Sequence, residues 1–129
     1  MTAPPADHQR LPPGFADGVR HFNAGRFFEA HEAFEALLDE VEEDGRWDLL
    51  VALVQVAVGY HKCANGFPGA ARMLRLGLEK LAPFPAVAWG IEVEALRRRL
   101  AEDLDCEGAL ATRLEAEPPR LRLRRTPAV

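Results

Sequence analysis

The feature that most constrains the fold is an apolar run at residues 49–60, which only Gln55 interrupts. A membrane-spanning helix needs about 18 or more apolar residues, so this run is too short to cross a bilayer. Because its apolar side chains occupy nearly every face of a helix, it predicts a buried central helix at about 47–64, which Asn65 and Gly66 end. Such a helix is stable in water only when other elements surround it.

The rest of the chain has the 3.6-residue spacing of amphipathic helices, apart from residues 121–124, where leucine and arginine alternate. Glycine and proline separate the periodic segments. The predicted flanking helices cover about residues 14–24, 27–43, 68–81, 87–104 and 106–115. The second helix ends in acidic residues, which oppose the helix dipole, so we expect that end to fray. The pattern predicts an all-α fold.

A faint internal repeat points to helical hairpins. Gly18 corresponds to Gly59 and Gly25 to Gly66, an offset of 41 residues in each case. Small residues within helices let two antiparallel helices approach closely, and the pattern resembles a degenerate tetratricopeptide repeat. Two copies are too few for a solenoid, so we predict a compact bundle of two helical hairpins plus one or two C-terminal helices. The expected organisation is an extended Pro-rich segment at 1–13, one helical domain at 14–117 and a basic tail at 118–129.

Charge is distributed unevenly along the chain. Sixteen basic and 20 acidic residues give a net charge of −4, which argues against a general nucleic-acid-binding protein. Residues 14–45 hold nine acidic and two basic side chains, whereas the tail after Pro119 holds four arginines and no acidic residue. A basic tail can bind phosphate or an anionic membrane, or it can pack against the acidic residues of its own chain or of a second copy. We favour the second alternative, in which the tail packs on protein.

The two cysteines, Cys63 and Cys106, form no Cys-x-x-Cys pair. The Pro-rich N-terminal segment has none of the apolar core of a secretory signal. We therefore expect a reduced cytoplasmic protein in which both cysteines are small buried side chains.

The candidate site is a polar constellation in the second helix. His31 and Glu35 are one turn apart on the same face, so we expect a partly buried imidazole hydrogen-bonded to a carboxylate. Glu29 is placed to interact with the N-terminal helix dipole, and Glu32 lies at the edge of this face.

The central helix contributes two further polar residues, Gln55 and His61. Gln55 is expected to reach the second helix near His31 or Glu35, because a buried amide without a partner costs about 1–3 kcal/mol. His61 lies about 120° around the helix from Gln55, which makes a single shared pocket harder to build. The predicted binding residues are Glu29, His31, Glu35, Gln55 and His61.

Three interpretations of this constellation remain open. The first is a structural His–Glu pair, and the second is a metal-free binding or acid–base site. The third is a metal-dependent hydrolase in which a divalent metal is held by His31, Glu35 and His61, with Glu32 as general base. It rests on an incomplete His-Glu-x-x-His motif, in which Glu35 replaces the second histidine. Serine is absent from the chain, which excludes a serine triad.

The stretch from Phe22 to Glu35 also resembles a known family. Its residues Phe22, Asn23, Gly25, Phe27, Phe28, Glu29, Ala30, His31, Glu32 and Glu35 match the motif of the domain-of-unknown-function family 309, and Gln55, His61 and Gly66 match its second half. The resemblance covers about residues 15–84. Leu38 stands where the family usually has tryptophan, which removes an aromatic wall beside His31.

This resemblance implies an all-α fold and leaves the activity open. The best-supported expectation is a binding or interaction module with a polar site around His31 and Glu35. Its partner is expected to be a protein or a small molecule, with a homodimer as one arrangement.

Overall fold

The computed structural model describes residues 11–42 and 44–124 and has an all-α fold. Its six helices are α1 (Phe15–Asn23), α2 (Phe27–Ala36), α3 (Gly45–Ala64), α4 (Ala70–Leu81), α5 (Val93–Asp105) and α6 (Leu110–Ala116). Two 3-10 turns, Leu38–Glu40 and Glu107–Ala109, and two short strands, β1 (Val87–Ala88) and β2 (Ile91–Glu92), complete the described elements. In these residues, no helix is long and apolar enough to cross a membrane.

The predicted central helix is confirmed as α3. It packs against α2, α4 and α6, and most of its apolar side chains are fully buried, including Leu49, Leu53 and Val56. The Asp44 side chain caps its first turn by accepting a hydrogen bond from the Arg46 backbone N–H at 2.8 Å. The apolar run therefore forms the centre of the core.

Glycines allow the close helix packing that the repeat predicted. Gly18 of α1 lies against the ring of Phe34 in α2. Gly59 of α3 lies against Leu74 in α4, where an added Cβ would be 2.6 Å from Leu74 Cδ2 and 3.1 Å from its backbone nitrogen. These distances leave no room for a methyl group. The glycines thus mark the contact points of the hairpins α1–α2 and α3–α4.

The second helix is shorter than its apolar pattern suggested. It ends at Ala36 instead of near residue 43, and the chain continues as a 3-10 turn until Val41 becomes extended. The acidic residues after Ala36 oppose the helix dipole, which accounts for the early end. Leu38 packs against the core from this 3-10 turn.

The start of the predicted fifth helix is a β-hairpin. Strands β1 and β2 pair antiparallel, and the turn residues Trp89 and Gly90 both have positive φ, at 47° and 82°. Hairpin turns of two residues favour this conformation because its twist matches that of the strands. The helix itself begins only at Val93.

The basic segment after α6 is held on the domain up to residue 124. Leu123 forms a bridge with Ile91, and the Glu92 backbone N–H donates to the Arg122 carbonyl at 2.9 Å. The Asn23 side chain donates to the Leu121 carbonyl at 3.0 Å and accepts from its N–H at 2.7 Å. Residues 118–124 are thus packed on the domain through bonds to their backbone, and none of their arginine side chains pairs with a described acidic residue of 14–45. Residues 1–10 and 125–129 of the predicted terminal segments lie outside the described residues.

Candidate functional site

The sequence of α2 divides its side chains between core and solvent. Phe27, Ala30 and Phe34 are buried, whereas Phe28 is 45% exposed. His31 lies at the boundary and is partly buried, as predicted. Consecutive phenylalanines on a helix differ by about 100° in direction, so only one of Phe27 and Phe28 can face the core.

His31 does not form the predicted bond with Glu35. Its Nδ1 lies 2.6 Å from the backbone carbonyl oxygen of Phe28, one turn earlier. A carbonyl accepts only, so Nδ1 carries the proton and Nε2 keeps its lone pair in the neutral ring. Between described residues, Glu35 forms no hydrogen bond or ion pair. The Phe28 carbonyl, and not the Glu35 carboxylate, is therefore the hydrogen-bond partner of His31.

His61 lies in the last turn of α3 and is also partly buried. Its Nδ1 is 3.2 Å from the side-chain nitrogen of Asn65, which also donates to the His61 carbonyl at 2.9 Å. Because an amide nitrogen donates, Nδ1 of the neutral His61 ring accepts and its Nε2 carries the proton. The two histidines therefore present opposite functions at Nε2, an acceptor on His31 and a donor on His61.

Ring contacts join the two histidines into one surface. The Phe28 ring centroid lies 4.9 Å from that of His31 and 5.3 Å from that of His61, and the Phe67 centroid is 5.9 Å from His61. We refer to Phe28, His31, His61 and Phe67 as the aromatic–histidine face. Phe67 is 52% exposed, so both phenyl rings are open to solvent. The sequence placed both histidines in the site but gave no role to the two phenylalanines between and beside them.

The predicted acidic residues of α2 form no pairs among the described residues. Glu29, Glu32 and Glu35 are exposed, and none has a hydrogen bond or ion pair with another described residue. Glu29 lies in the first turn of α2, where the helix dipole favours a carboxylate, as expected. One turn of helix separates Phe28 from Glu32 and His31 from Glu35. The rings therefore have carboxylates beside them.

Gln55 does not join the face through its side-chain oxygen. This Oε1 atom is buried and has no hydrogen-bond partner among the described residues. Gln55 was expected to reach α2 near His31 or Glu35, and through this oxygen it forms no hydrogen bond there.

The predicted metal ligands are not gathered into one centre. In residues 11–42 and 44–124, no three His, Cys, Asp or Glu side chains are grouped so that they could hold a metal ion. His31 and His61 each contact the Phe28 ring, and Glu35 forms no hydrogen bond or ion pair with either of them.

Sequence reasoning missed a buried charge cluster on the other side of α3. The Asp103 carboxylate, fully buried in α5, accepts from the Tyr60 hydroxyl, from Arg99 Nε at 2.9 Å and from Arg113 Nε at 2.8 Å. Burial is the main cause that raises the pKa of Tyr60 well above its usual 10.0, and the hydrogen bond to Asp103 raises it further. We refer to Tyr60, Arg99, Asp103 and Arg113 as the Asp103 cluster. Because its members come from three helices, it acts as a structural joint between α3, α5 and α6.

The run from Arg97 to Arg99 in α5 is not uniformly exposed. Arg97 Nη1 donates to the carbonyls of Leu81 and Phe84 at 2.8 Å each, and the Arg99 side chain is only 13% exposed. Helical spacing could have identified Asp103 as a buried residue, because it lies three residues after Leu100, which is buried on the same side of the helix. Cys106 is exposed instead of buried.

Cys63 is partly buried, and burial raises the pKa of its thiol. A high thiol pKa lowers the thiolate fraction near neutral pH, which disfavours a nucleophilic role. The cavity beside it has a volume of about 200 Å³ and includes none of the four rings of the aromatic–histidine face.

Comparison with known proteins supports the family resemblance and gives no activity. No curated protein is significantly similar to the chain. Residues 15–74, from the start of α1 into α4, match a family model and include His31, His61 and both phenylalanines of the aromatic–histidine face. This model is described as a domain of unknown function (DUF309), and the chain resembles that family over these residues.

Proposed function

We propose that this chain is an interaction module that binds another protein through the aromatic–histidine face. The observation that carries the proposal is the row of ring contacts from His31 through Phe28 and His61 to Phe67, with both phenyl rings about half exposed. Exposed apolar patches mark interaction sites, and aromatic side chains contribute strongly to binding energy when a partner covers them.

The surrounding charges favour a basic partner surface. Glu29, Glu32 and Glu35 are exposed and unpaired among the described residues, so their charges are available to lysine or arginine side chains. The same carboxylates repel the phosphates of nucleic acid. The proposed partner presents an apolar side chain to Phe28 with basic side chains around it. An exposed free thiol at Cys106 suits the reducing cytoplasm as the place of action.

Site-specific photo-cross-linking tests the proposal. A photoreactive phenylalanine analogue replaces Phe28 in one protein and Leu123 in the control. Both positions hold exposed apolar side chains, but Leu123 lies beside the β-hairpin through its bridge with Ile91, whereas Phe28 lies against His31 and His61. We expect a discrete adduct from position 28 that position 123 does not give. Identical adduct patterns from the two positions would overturn the proposal, and an adduct of twice the chain mass would make the partner a second copy.

The charge of the partner is tested with matched double variants. Glu32→Gln/Glu35→Gln removes two carboxylates beside the rings, and Glu79→Gln/Glu115→Gln removes two exposed carboxylates elsewhere. We expect the first variant to reduce the adduct from position 28 and added salt to do the same, because both weaken attraction to a basic partner. An equal reduction in both variants would show that only net charge matters.

A further inference from the structure

A cleft of about 300 Å³ lies between α5 and the segment that follows α6. Its lining consists of Ala95, Arg99, Glu117, Pro118, Arg120 and Arg122. Residues 119–122 alternate between buried and exposed, which is the pattern of an extended segment whose successive side chains point to opposite sides. Pro119 and Leu121 are buried, whereas Arg120 and Arg122 are exposed. The backbone bonds of Leu121 and Arg122 therefore fix the two arginines beside the cleft.

Neither Arg120 nor Arg122 is neutralised by a described residue. Neither side chain has a hydrogen bond or ion pair with any residue that the structure describes. Residues two apart in an extended segment have Cα atoms roughly 6.5–7 Å apart and side chains on the same side, so one small ligand can reach both arginines. An anion bound between two guanidinium groups offsets their mutual repulsion.

Arg99 supplies a third guanidinium group in a fixed position. Its side chain is 13% exposed, and its Nε is 2.9 Å from Asp103. Its Nη2 donates to the Glu117 backbone carbonyl. The Glu117 carboxylate is the one acidic group in the lining, and its nearest oxygen is 3.9 Å from Arg99 Nη1. The lining therefore contains three guanidinium groups and one carboxylate. Because Arg99 is also paired with the buried Asp103, Arg120 and Arg122 supply the positive charge that a ligand would meet.

We propose that this cleft binds a small dianion, either a phosphate compound or a dicarboxylate. Guanidinium groups bind the oxygens of both classes through paired, charge-assisted hydrogen bonds. The volume lies at the lower end of the roughly 300–1,000 Å³ of small-molecule sites, which suits a compact ligand. This site is separate from the aromatic–histidine face and does not depend on the proposed interaction there.

Calorimetric titration of the full chain tests the site. Inorganic pyrophosphate and succinate serve as probes at constant ionic strength. Saturable binding of pyrophosphate alone assigns a phosphate compound, and saturable binding of succinate alone assigns a dicarboxylate. Binding of both assigns a general dianion site. If neither binds, or if a short oligonucleotide binds more tightly than both, the proposal is wrong.

Two double variants of equal charge locate the binding. Arg120→Gln/Arg122→Gln keeps side-chain length and removes both free guanidinium groups, so we expect the affinity to fall by about tenfold or more. Arg72→Gln/Arg98→Gln removes two exposed guanidinium groups from α4 and α5 and is expected to change it by less than about twofold. Equal losses in the two variants would overturn the assignment.

A third variant gives an effect of opposite sign. Glu117→Gln removes the carboxylate that competes with the ligand for Arg99, so the bound probe should be held more tightly. Circular dichroism checks that each variant keeps its helical content. Weaker binding by a folded Glu117→Gln protein would contradict the assigned charge balance.

Discussion

At the scale of single residues, the most consequential side chain is the buried carboxylate of Asp103. A charge in the core is tolerated only when hydrogen bonds and opposite charges replace the water that it has lost. Asp103 has three donors, from Tyr60, Arg99 and Arg113, which belong to three different helices. Removing the carboxylate leaves Arg99 largely buried without its counter-charge, whereas removing one donor leaves two in place.

Substitutions in the Asp103 cluster should therefore have unequal effects. We expect Asp103→Asn to lower the free energy of unfolding by about 3 kcal/mol or more, because it breaks a buried ion pair. Tyr60→Phe should lower it by about 1.5–3 kcal/mol, the range for one hydrogen bond to a charged group. Urea denaturation measures both values. Equal losses would show that the carboxylate is not the centre of the cluster.

The same tyrosine should control stability at alkaline pH. Burial and the hydrogen bond to Asp103 raise the pKa of Tyr60 above its usual value of 10.0. The unfolded chain then loses the phenolic proton before the folded chain does, so stability is intact below pH 10.0 and falls as the pH rises above it. We expect Tyr60→Phe to show a smaller loss of melting temperature between neutral pH and pH 11 than the wild type. Parallel curves for the two proteins would refute this assignment.

At the scale of elements, the run of three arginines in α5 shows how neighbours on one helix differ in role. The Arg97 guanidinium group closes the end of α4 by donating to two carbonyls there, at Leu81 and Phe84. The side chain of Arg98 is 74% exposed and pairs with Glu94 on the helix surface. Exposed pairs of this kind contribute little to stability.

Alanine substitutions should separate these two arginines. Arg97→Ala removes the donor to the Phe84 carbonyl and one of the two donors to the Leu81 carbonyl, and it should cost about 1–3 kcal/mol. Arg98→Ala should change the stability by less than about 0.5 kcal/mol. The comparison requires only the two unfolding midpoints. A larger effect at Arg98 than at Arg97 would contradict the capping role.

The same scale shows how far the sequence can predict this protein. The spacing of apolar residues was sufficient to predict that the helices exist, because a helix that buries one face needs apolar residues at that spacing. It failed at residues 87–92, where the turn at Trp89 and Gly90 permits a hairpin that periodicity does not encode. In the candidate site, His31 and His61 do share a surface. They are connected through Phe28, and the contact between Phe28 and His61 joins two helices, so the spacing of residues within one helix does not reveal it.

At the scale of the whole molecule, Asn23 joins regions of the chain that are far apart in sequence. Its side chain makes two hydrogen bonds with Leu121, across 98 positions. Leu121 is buried, and the residues after it pair with the β-hairpin. The position of the arginines beside the cleft therefore depends on a contact with the first helix.

Limited proteolysis should reveal this dependence. Trypsin cleaves after arginine, and the pairing of residues 121–124 should protect the bonds that follow Arg120 and Arg122. Asn23→Ala should increase the rate of cleavage there. The control Asn65→Ala removes an amide that bonds only to His61, within its own helix end, and should leave the rate unchanged. Equal rates in the two variants would show that Asn23 does not hold the segment.

The long-range bonds also set the order in which the chain can fold during synthesis. The ribosome delivers α1 to α4 first, but the Tyr60 hydroxyl has no carboxylate partner until Asp103 has emerged, and Asn23 has no partner until Leu121 follows. Residues 15–74, which carry the family match, lack both partners. They are consequently an incomplete cooperative unit, and a nascent chain that has reached residue 74 exposes apolar surface that α5 and α6 later cover.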